Sequence, residues 1–318
     1  YANYTDLNKT GTKITDQIFC NDRIVSKLDP PNTYYGAHGR LYSNKKPILT
    51  CPTTSDKFTV NTSNGNGALT YPVGLITADE VAMAGGVYNS GKSSGGVYNS
   101  GNSSYYLYTN QYYWAGSPYL FDVGGDNAYL FHVYADGRLH YSNVLYKGGV
   151  RGVVSLSSES KLLGSGTYND VYTVVGDNST EDTSSGKSFD TVFAANNTDI
   201  FNENGLRYEG ADPNNYICLD SNKEGACSNS SLLFRIIGLF DEEYSSDGTT
   251  SSGTKKLLKI LDTNDYGGTS GKYWSGSSSN KHNDWSKSTL NTELNGNYLS
   301  TLLGVSGVNS KLNTALVT

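Results

Sequence analysis

"YYWAGSPYLFDVGGDNAYLFHVYADGRLHYSN", residues 112–143, holds six tyrosines and two histidines. Its residues alternate in strand fashion on both sides of Asp136-Gly137, a dipeptide suited to a tight hairpin turn. Alternation along 128–134 separates Tyr129, Phe131 and Val133 from Leu130, His132 and Tyr134. One set is predicted to face the core. The other is predicted to share the surface with His140, Asp122 and Asn127. Tyr, Asn, Asp and His together offer rigid contact area and adaptable hydrogen bonds, and aromatic faces stack on sugars. The stretch therefore predicts a recognition or assembly surface drawn from Tyr112, Tyr113, Trp114, Tyr119, Asp122, Asn127, His132, Tyr134, His140 and Tyr141. Ordinary cross-strand pairing of aromatics explains the same pattern without a ligand.

The rest of the chain suits such a surface. Of 318 residues, 36% are hydrophobic and 17% charged, with 36 glycines and 26 tyrosines. Tyrosine brings apolar area with a polar tip, so a core can form. Recurring Val, Leu, Ile and aromatic residues argue against disorder. The net charge of −6 comes with no dense Lys/Arg block, which excludes a nucleic-acid phosphate track. No apolar run approaches the roughly 18–20 residues that span a bilayer, and no signal-peptide pattern is visible. An opening at Tyr1 without methionine predicts a processed or trimmed product, and the abrupt end "SKLNTALVT" predicts a truncated or continuing chain.

Four cysteines are present. Cys218 and Cys227 flank a loop short enough for a local bridge, which leaves Cys20 and Cys51 to close a second one. No C-x-x-C and no histidine at ligand spacing accompanies them. Two disulfides and an oxidising, extracellular compartment are expected; four reduced buried thiols are the alternative. Sequons at Asn3, Asn8, Asn61, Asn102, Asn178, Asn196 and Asn229 predict surface loops more than glycans in so Asn-, Ser- and Thr-rich a chain.

Along the chain, residues 11–29 read as a short helix ended by Pro30-Pro31. Thr77 and Glu80 form a capping-box pattern for a helix from Ala78 to Ala84, stopped by Gly85-Gly86. "GGVYNSGKSS" (85–94) is duplicated as "GGVYNSGNSS" (95–104), a slipped repeat in a tolerant loop. "SYYLYTNQYYWAGSPYLF" alternates as strand, and "GGVRGVVSL" (148–156) reads as one central apolar strand. The acidic, Ser/Thr-rich residues 176–188 read as linker. "NYICLD" and "SLLFRIIGLFDEE" are strands, the latter paired with "KKLLKILDT". "DWSKSTLNTELNGNYLSTLLG" is helical, with Trp285, Leu290, Leu294, Tyr298 and Leu302 on one face and Ser286 or Ser288 as cap.

Taken together, these motifs resemble an uncharacterised domain of secreted and surface proteins from Gram-positive bacteria. "FRIIGLFDE…KKLLKILD…DWSKSTLNTELNGNYLSTL" is similar to its first half. "GLITADEVAMAGG…YYWAGSPYLF…NAYLFHVYADGRLHYSN…GGVRGVVSL" is similar to its second, with its YW…SP turn and closing G-V-R-P strand; Gly152 stands where the pattern has proline. The resemblance implies an α+β, C-type-lectin-like fold of short twisted antiparallel sheets, few short helices and long loops. It also implies reversed order: residues 1–165 as the YW…SP/GVR half, 166–188 as linker, and 189–318 as the strand-pair-and-helix half. Three arrangements follow: a permuted window of a tandem repeat, completion by a neighbouring copy in a head-to-tail homopolymer, or two half-domains that fold alone. The expected function is an extracellular bacterial surface or filament-forming adhesive protein, non-enzymatic and without cofactor, with itself, a glycan or a protein as partner. A carbohydrate-active enzyme and a phage receptor-binding protein are the alternatives.

Candidates for other chemistry are few. Asp79-Glu80 offers a carboxylate pair, but the helix cap accounts for Glu80. Asp122, Asp126 and Asp136 offer oxygens to calcium without a calcium-loop spacing, so turn roles are expected. His132 and His140 lie on facing strands with no third zinc ligand apparent, so exposed strand histidines are expected. The E-P-N and Q-P-D motifs of calcium-dependent animal lectins are absent.

Overall fold

Residues 233–262 supply the frame on which both halves of the chain assemble. The computed structural model describes residues 14–86, 103–157, 160–175, 186–195, 199–202, 205–220, 225–244, 253–276 and 281–305. In chain order these form β1 (Ile14–Thr15), β2 (Phe19–Cys20), β3 (Val25–Asp29), β4 (Asn32–Tyr35), β5 (Lys57–Phe58), β6 (Tyr113–Asp122), β7 (Asn127–Val133), β8 (Leu139–Asn143) and β9 (Lys147–Gly148). They continue as β10 (Val153–Ser157), β11 (Lys161–Leu163), β12 (Tyr172–Val175), β13 (Ile200–Asn202), β14 (Leu206–Tyr208), β15 (Tyr216–Cys218), β16 (Leu233–Tyr244), β17 (Gly253–Asp262) and β18 (Lys272–Tyr273). The fold is α+β, mostly strands with a few short helices.

The apolar runs of β16 and β17 pair antiparallel from Phe234↔Asp262 to Tyr244↔Gly253, with a bulge between Ile236 and Gly238. Both faces of such runs need cover, so they sit inside the nine-stranded sheet, ordered β1-β10-β17-β16-β15-β12-β11, with β14 also on β16 and β13 on β14. Every pairing is antiparallel except β12 with β15. Val153↔Leu261 through Ser157↔Leu257 joins β10 to β17, so a strand from before residue 165 pairs with one from after residue 189.

The second sheet, β3-β4-β6-β7-β8, is wholly antiparallel. The Asp136-Gly137 hairpin forms as expected, with Gly137 at φ 81° and the Tyr134 N–H donating to Arg138 O at 2.9 Å. β6 runs through Ser117-Pro118 as a bulged strand rather than turning there. Two register shifts absorb the residue that has no N–H to give.

Several expectations hold. Thr77 caps the helix Ala78–Met83: Glu80 N–H donates to Thr77 Oγ1 at 3.1 Å, and Thr77 N–H donates to Glu80 Oε2 at 2.8 Å. Both disulfides form, Cys20–Cys51 and Cys218–Cys227. Near the C-terminus Ser288 caps the helix Thr289–Glu293, which continues through a π turn, Leu294–Tyr298, into Leu299–Leu303. Trp285, Leu290, Leu294, Tyr298 and Leu302 are all buried.

Others are corrected. Residues 14–29 are three strands, not a helix: Ile14 pairs with Leu156, Phe19 with Phe58 and Asp29 with Asn32. Long-range pairing outweighs the local spacing, and Asp16 fixes the segment by accepting from Val60 N, Asn61 N and Asn61 Nδ2. Residues 105–107 are turn, although Tyr105, Tyr106 and Leu107 are buried. Residues 148–156 are not one strand; Gly148 ends β9 and β10 begins at Val153. The span read as linker from 166 carries β12, buried throughout. Residues 176–185, the duplication from 87 to 102, and the sequons at Asn3, Asn8, Asn102, Asn178 and Asn196 lie outside the described residues. Asn61 is buried against Asp16, not in a surface loop, whereas Asn229 is half-buried between exposed serines and accepts from Ser231 N.

Gly152 has a packing reason. A Cβ there would lie 2.4 Å from Tyr298 Cζ, and Tyr298 is pinned by its O–H donating to Asp262 Oδ2 at 2.8 Å. Proline at this position would meet the same ring. Gly152→Ala is expected to lower stability by about 1–3 kcal/mol in urea unfolding, and Gly152→Ala/Tyr298→Leu to recover part of that loss.

Candidate functional site

The structure divides the ten predicted surface residues by depth. Tyr113, Trp114, Tyr119 and His132 are buried at 2%, 1%, 6% and 2% exposure. Asp122, Asn127, Tyr134, His140 and Tyr141 are half-buried, and Tyr112 is 47% exposed. Strict alternation along β7 fails, because Leu130, Phe131, His132 and Val133 are all buried. One face of the sheet meets the core and the other is largely covered.

The buried members are packing residues. Trp114 stands 6.3 Å from Trp274, which stands 5.1 Å from Trp285. These are all three tryptophans of the chain. Trp114 Nε1 donates to Lys272 O at 3.0 Å, so the cluster clamps the two halves together. Tyr119 stacks on Tyr141 at 4.0 Å and Tyr113 O–H donates to Leu107 O. His132 pairs directly with His140 across β7 and β8. Burial, with His140 and Arg138 nearby, pushes His132 down to about 3. Among the described residues no third ligand joins the two histidines; the one group of potential metal ligands is Cys218, Asp220 and Cys227, whose cysteines are disulfide-bonded.

The aspartates are turn residues. Asp122 Oδ1 accepts from Gly125 N at 3.1 Å, Asp136 Oδ1 from Arg138 N at 3.1 Å, and Asp126 sits at φ 48°.

What remains open is the ground around Tyr112. Its ring tilts against His132 (5.7 Å) and Tyr134 (6.3 Å). Two hollows of about 340 and 360 Å³ flank it and share Gln111, Tyr112, Asp265 and Gly268. Their position follows from the pairing of the halves. Trp114 N–H donates to Gly149 O, and Gly149 N–H to Tyr112 O, each at 3.0 Å, tying β6 to the glycine segment. Asp265, just past β17, accepts from Val150 N at 2.6 Å through Oδ1. Burial raises its carboxyl above the usual range. The wall thus joins residues 109–113 and 147–151 to residues 263–271. Asp265 and Asn264 escaped sequence reasoning because nothing local marks them; they lie over 150 residues from Tyr112.

A second cavity, about 220 Å³, lies between the helix Ala78–Met83 and the β16–β17 hairpin. Arg40 donates to both Asp79 oxygens at 2.8 and 2.9 Å and to Asp22 Oδ2 at 2.6 Å. Lys259 Nζ lies 2.8 Å from Glu80 Oε1, both buried. Burial pushes Glu242 up to about 7 against the pull of Lys259. Asp79 and Glu80 are therefore held in ion pairs that join chain segments.

No family model, curated protein or solved structure matches this chain.

Proposed function

We propose that the chain is an extracellular recognition protein whose contact surface centres on Tyr112. The reading carries with it a C-type-lectin-like module similar to Gram-positive surface domains, with its halves in permuted order. Two disulfides are compatible with an oxidising exterior, and no described helix is long and apolar enough to cross a membrane. The β10–β17 pairing supports completion of the two halves within one chain. The observation that carries the recognition reading is Tyr112, an exposed aromatic that lines two neighbouring hollows of mixed polar and apolar surface.

Beads bearing the folded chain, passed over mucin-, fibronectin- and peptidoglycan-coated surfaces, test it. Retention on at least one surface, lost in Tyr112→Ala/Tyr134→Ala, is expected. No retention, or retention indifferent to the substitutions, would end the reading. Tyr113 and Trp114 are unsuitable probes, because removing them opens the core. Electron microscopy of the purified chain addresses assembly: discrete particles agree with completion within the chain, and filaments with head-to-tail completion by neighbouring copies.

The carbohydrate-active enzyme alternative rests on Glu242, which lines the 220 Å³ cavity with Asp79 and Glu80 and whose carboxyl burial pushes up to about 7. Reducing-sugar release abolished by Glu242→Gln would favour it.

A further inference from the structure

We propose that the cleft around Tyr112 binds a neutral oligosaccharide, with the Tyr112 ring as platform between two sugar subsites. This rests on the recognition reading and names its ligand. The two hollows share Gln111, Tyr112, Asp265 and Gly268, and each lies near the lower end of small-ligand pocket volumes, about 300 Å³. A ligand that fills both is at least two units long and crosses Tyr112.

The walls fix its chemistry. Arg151 is spent inside the protein: Nε donates to Asp262 O at 2.7 Å, one NH to Leu107 O at 3.0 Å, and the guanidinium lies 4.9 Å from the Tyr113 ring. Lys147 is exposed and sits 5.2 Å from the Tyr273 ring. Against these stands the single carboxylate of Asp265, with Oδ1 already taken by Val150. Such a balance concentrates neither polyanions nor polycations. The remaining polar lining is Asn110, Gln111 and Asn264, the hydroxyls of Thr109, Thr263 and Ser270, and glycine backbone. Amides, hydroxyls and one carboxylate oxygen suit a ligand rich in hydroxyls. A peptide would want apolar side-chain pockets or an open strand edge, and apart from tyrosine the lining brings only Ala135. An aromatic ring with polar neighbours on both sides matches the apolar face and hydroxyl rim of a pyranose.

Asn264 and Asp265 are built in rather than loose. Asn264 Nδ2 donates to Ser230 O and Asp262 Oδ1 at 2.9 and 3.0 Å, and Asp265 anchors Val150. Holding cleft groups before binding lowers the entropy cost of association.

The experiment is an array of neutral oligosaccharides probed with the purified chain, followed by calorimetric titration of the best binder. Binding should vary little between low and moderate salt. Tyr112→Ala should weaken it by roughly tenfold or more, the equivalent of about 1.4 kcal/mol, and Asp265→Asn should weaken it less. Tyr146→Ala, at an exposed tyrosine outside both hollows, should leave it unchanged. Tryptophan fluorescence confirms that each variant is folded. If no neutral glycan binds, or Tyr112→Ala binds as well as the parent, the inference is overturned. If Tyr112→Ala/Tyr134→Ala still abolishes bead retention while no neutral glycan binds, the recognition reading stands and the neutral-oligosaccharide inference fails; if bead retention is also indifferent, both fail.

Discussion

Arg40→Met is expected to destabilise the protein by about 3–5 kcal/mol, a fall in melting temperature on the order of 10 °C. The guanidinium has 16% exposure and each of its two carboxylate partners 3%. It reaches Asp22 and Asp79 with three hydrogen bonds of 2.6–2.9 Å. Removing it strands two buried carboxylates. Both carboxylates line, with Arg40, the cavity of about 220 Å³ beside the Cys20–Cys51 bridge, and water entering it replaces only part of the lost pairing. Without Arg40, Asp79 still accepts from Ile48 N at 3.1 Å and Asp22 from Ile24 N at 3.1 Å. The decisive comparison is the triple variant Arg40→Met/Asp22→Asn/Asp79→Asn. With the stranded charges gone it should recover much of the loss, because the cost lies in the unpaired carboxylates more than in the missing attraction. Urea unfolding followed by tryptophan fluorescence reads both. Equal stability of Arg40→Met and the parent, or no recovery in the triple variant, would refute this account.

The network also shows why some of the fold was legible in sequence and some was not. β16 and β17 announced themselves because a fully buried strand is a continuous apolar run, and such runs need no knowledge of their partners. The Thr77–Glu80 cap, the Asp136-Gly137 turn and the local Cys218–Cys227 loop are likewise decided within a few residues. Residues 14–29 were misread because Ile14, Ile18 and Val25 recur at near-helical spacing. The pairing of Ile14 with Leu156, Phe19 with Phe58 and Val25 with Tyr35 is long-range or turned by Pro30-Pro31, beyond what a local window registers. The tyrosines posed a different problem. An amphipathic ring satisfies either face of a sheet, so pattern alone did not distinguish exposed Tyr112 from buried Tyr113 and Tyr119. Depth is set by partners outside the stretch: Tyr113 meets Leu107 O and the Arg151 guanidinium, and Tyr119 packs on Tyr34 and His38. The Tyr112 cleft was half legible for the same reason: its aromatic platform lies in a conspicuous stretch, whereas Asp265 belongs to an unremarkable loop.

His132→Phe should make the protein more resistant to acid, and the sign follows from the direction of the shift. In the unfolded chain the imidazole has an ordinary value of 6.5; in the fold burial holds it down at about 3. The folded state therefore binds fewer protons in this range. Its contribution is fully present above pH 6.5 and is lost as the pH falls toward 3, by about 2 kcal/mol at pH 5. Geometry supplies the cause. The ring lies among Trp114, Tyr112 and Tyr134, and its Nε2 has no hydrogen-bond partner. The ionisable groups facing it are His140, directly opposite on β8, and Arg138, both of which oppose a second positive charge. His38, pushed down to about 4 by burial, adds a loss of the same sign. Buried carboxyls work the other way. Glu242 at about 7, and Asp16 and Asp262 at about 6, are raised by burial. Their contribution is present below the usual carboxylate range and is lost as the pH rises through those values. The parent's profile is thus a compromise between the two sets, and only a difference between variants isolates one histidine. Phenylalanine keeps the ring contacts, removes the unpartnered nitrogen and cannot take up a proton. Unfolding free energies measured at pH 7.5 and pH 5 should show the parent losing about 2 kcal/mol more than His132→Phe between the two. Parallel profiles would mean that His132 is protonated as readily in the fold as outside it, and that the ring is less enclosed than its position between β6 and β8 requires.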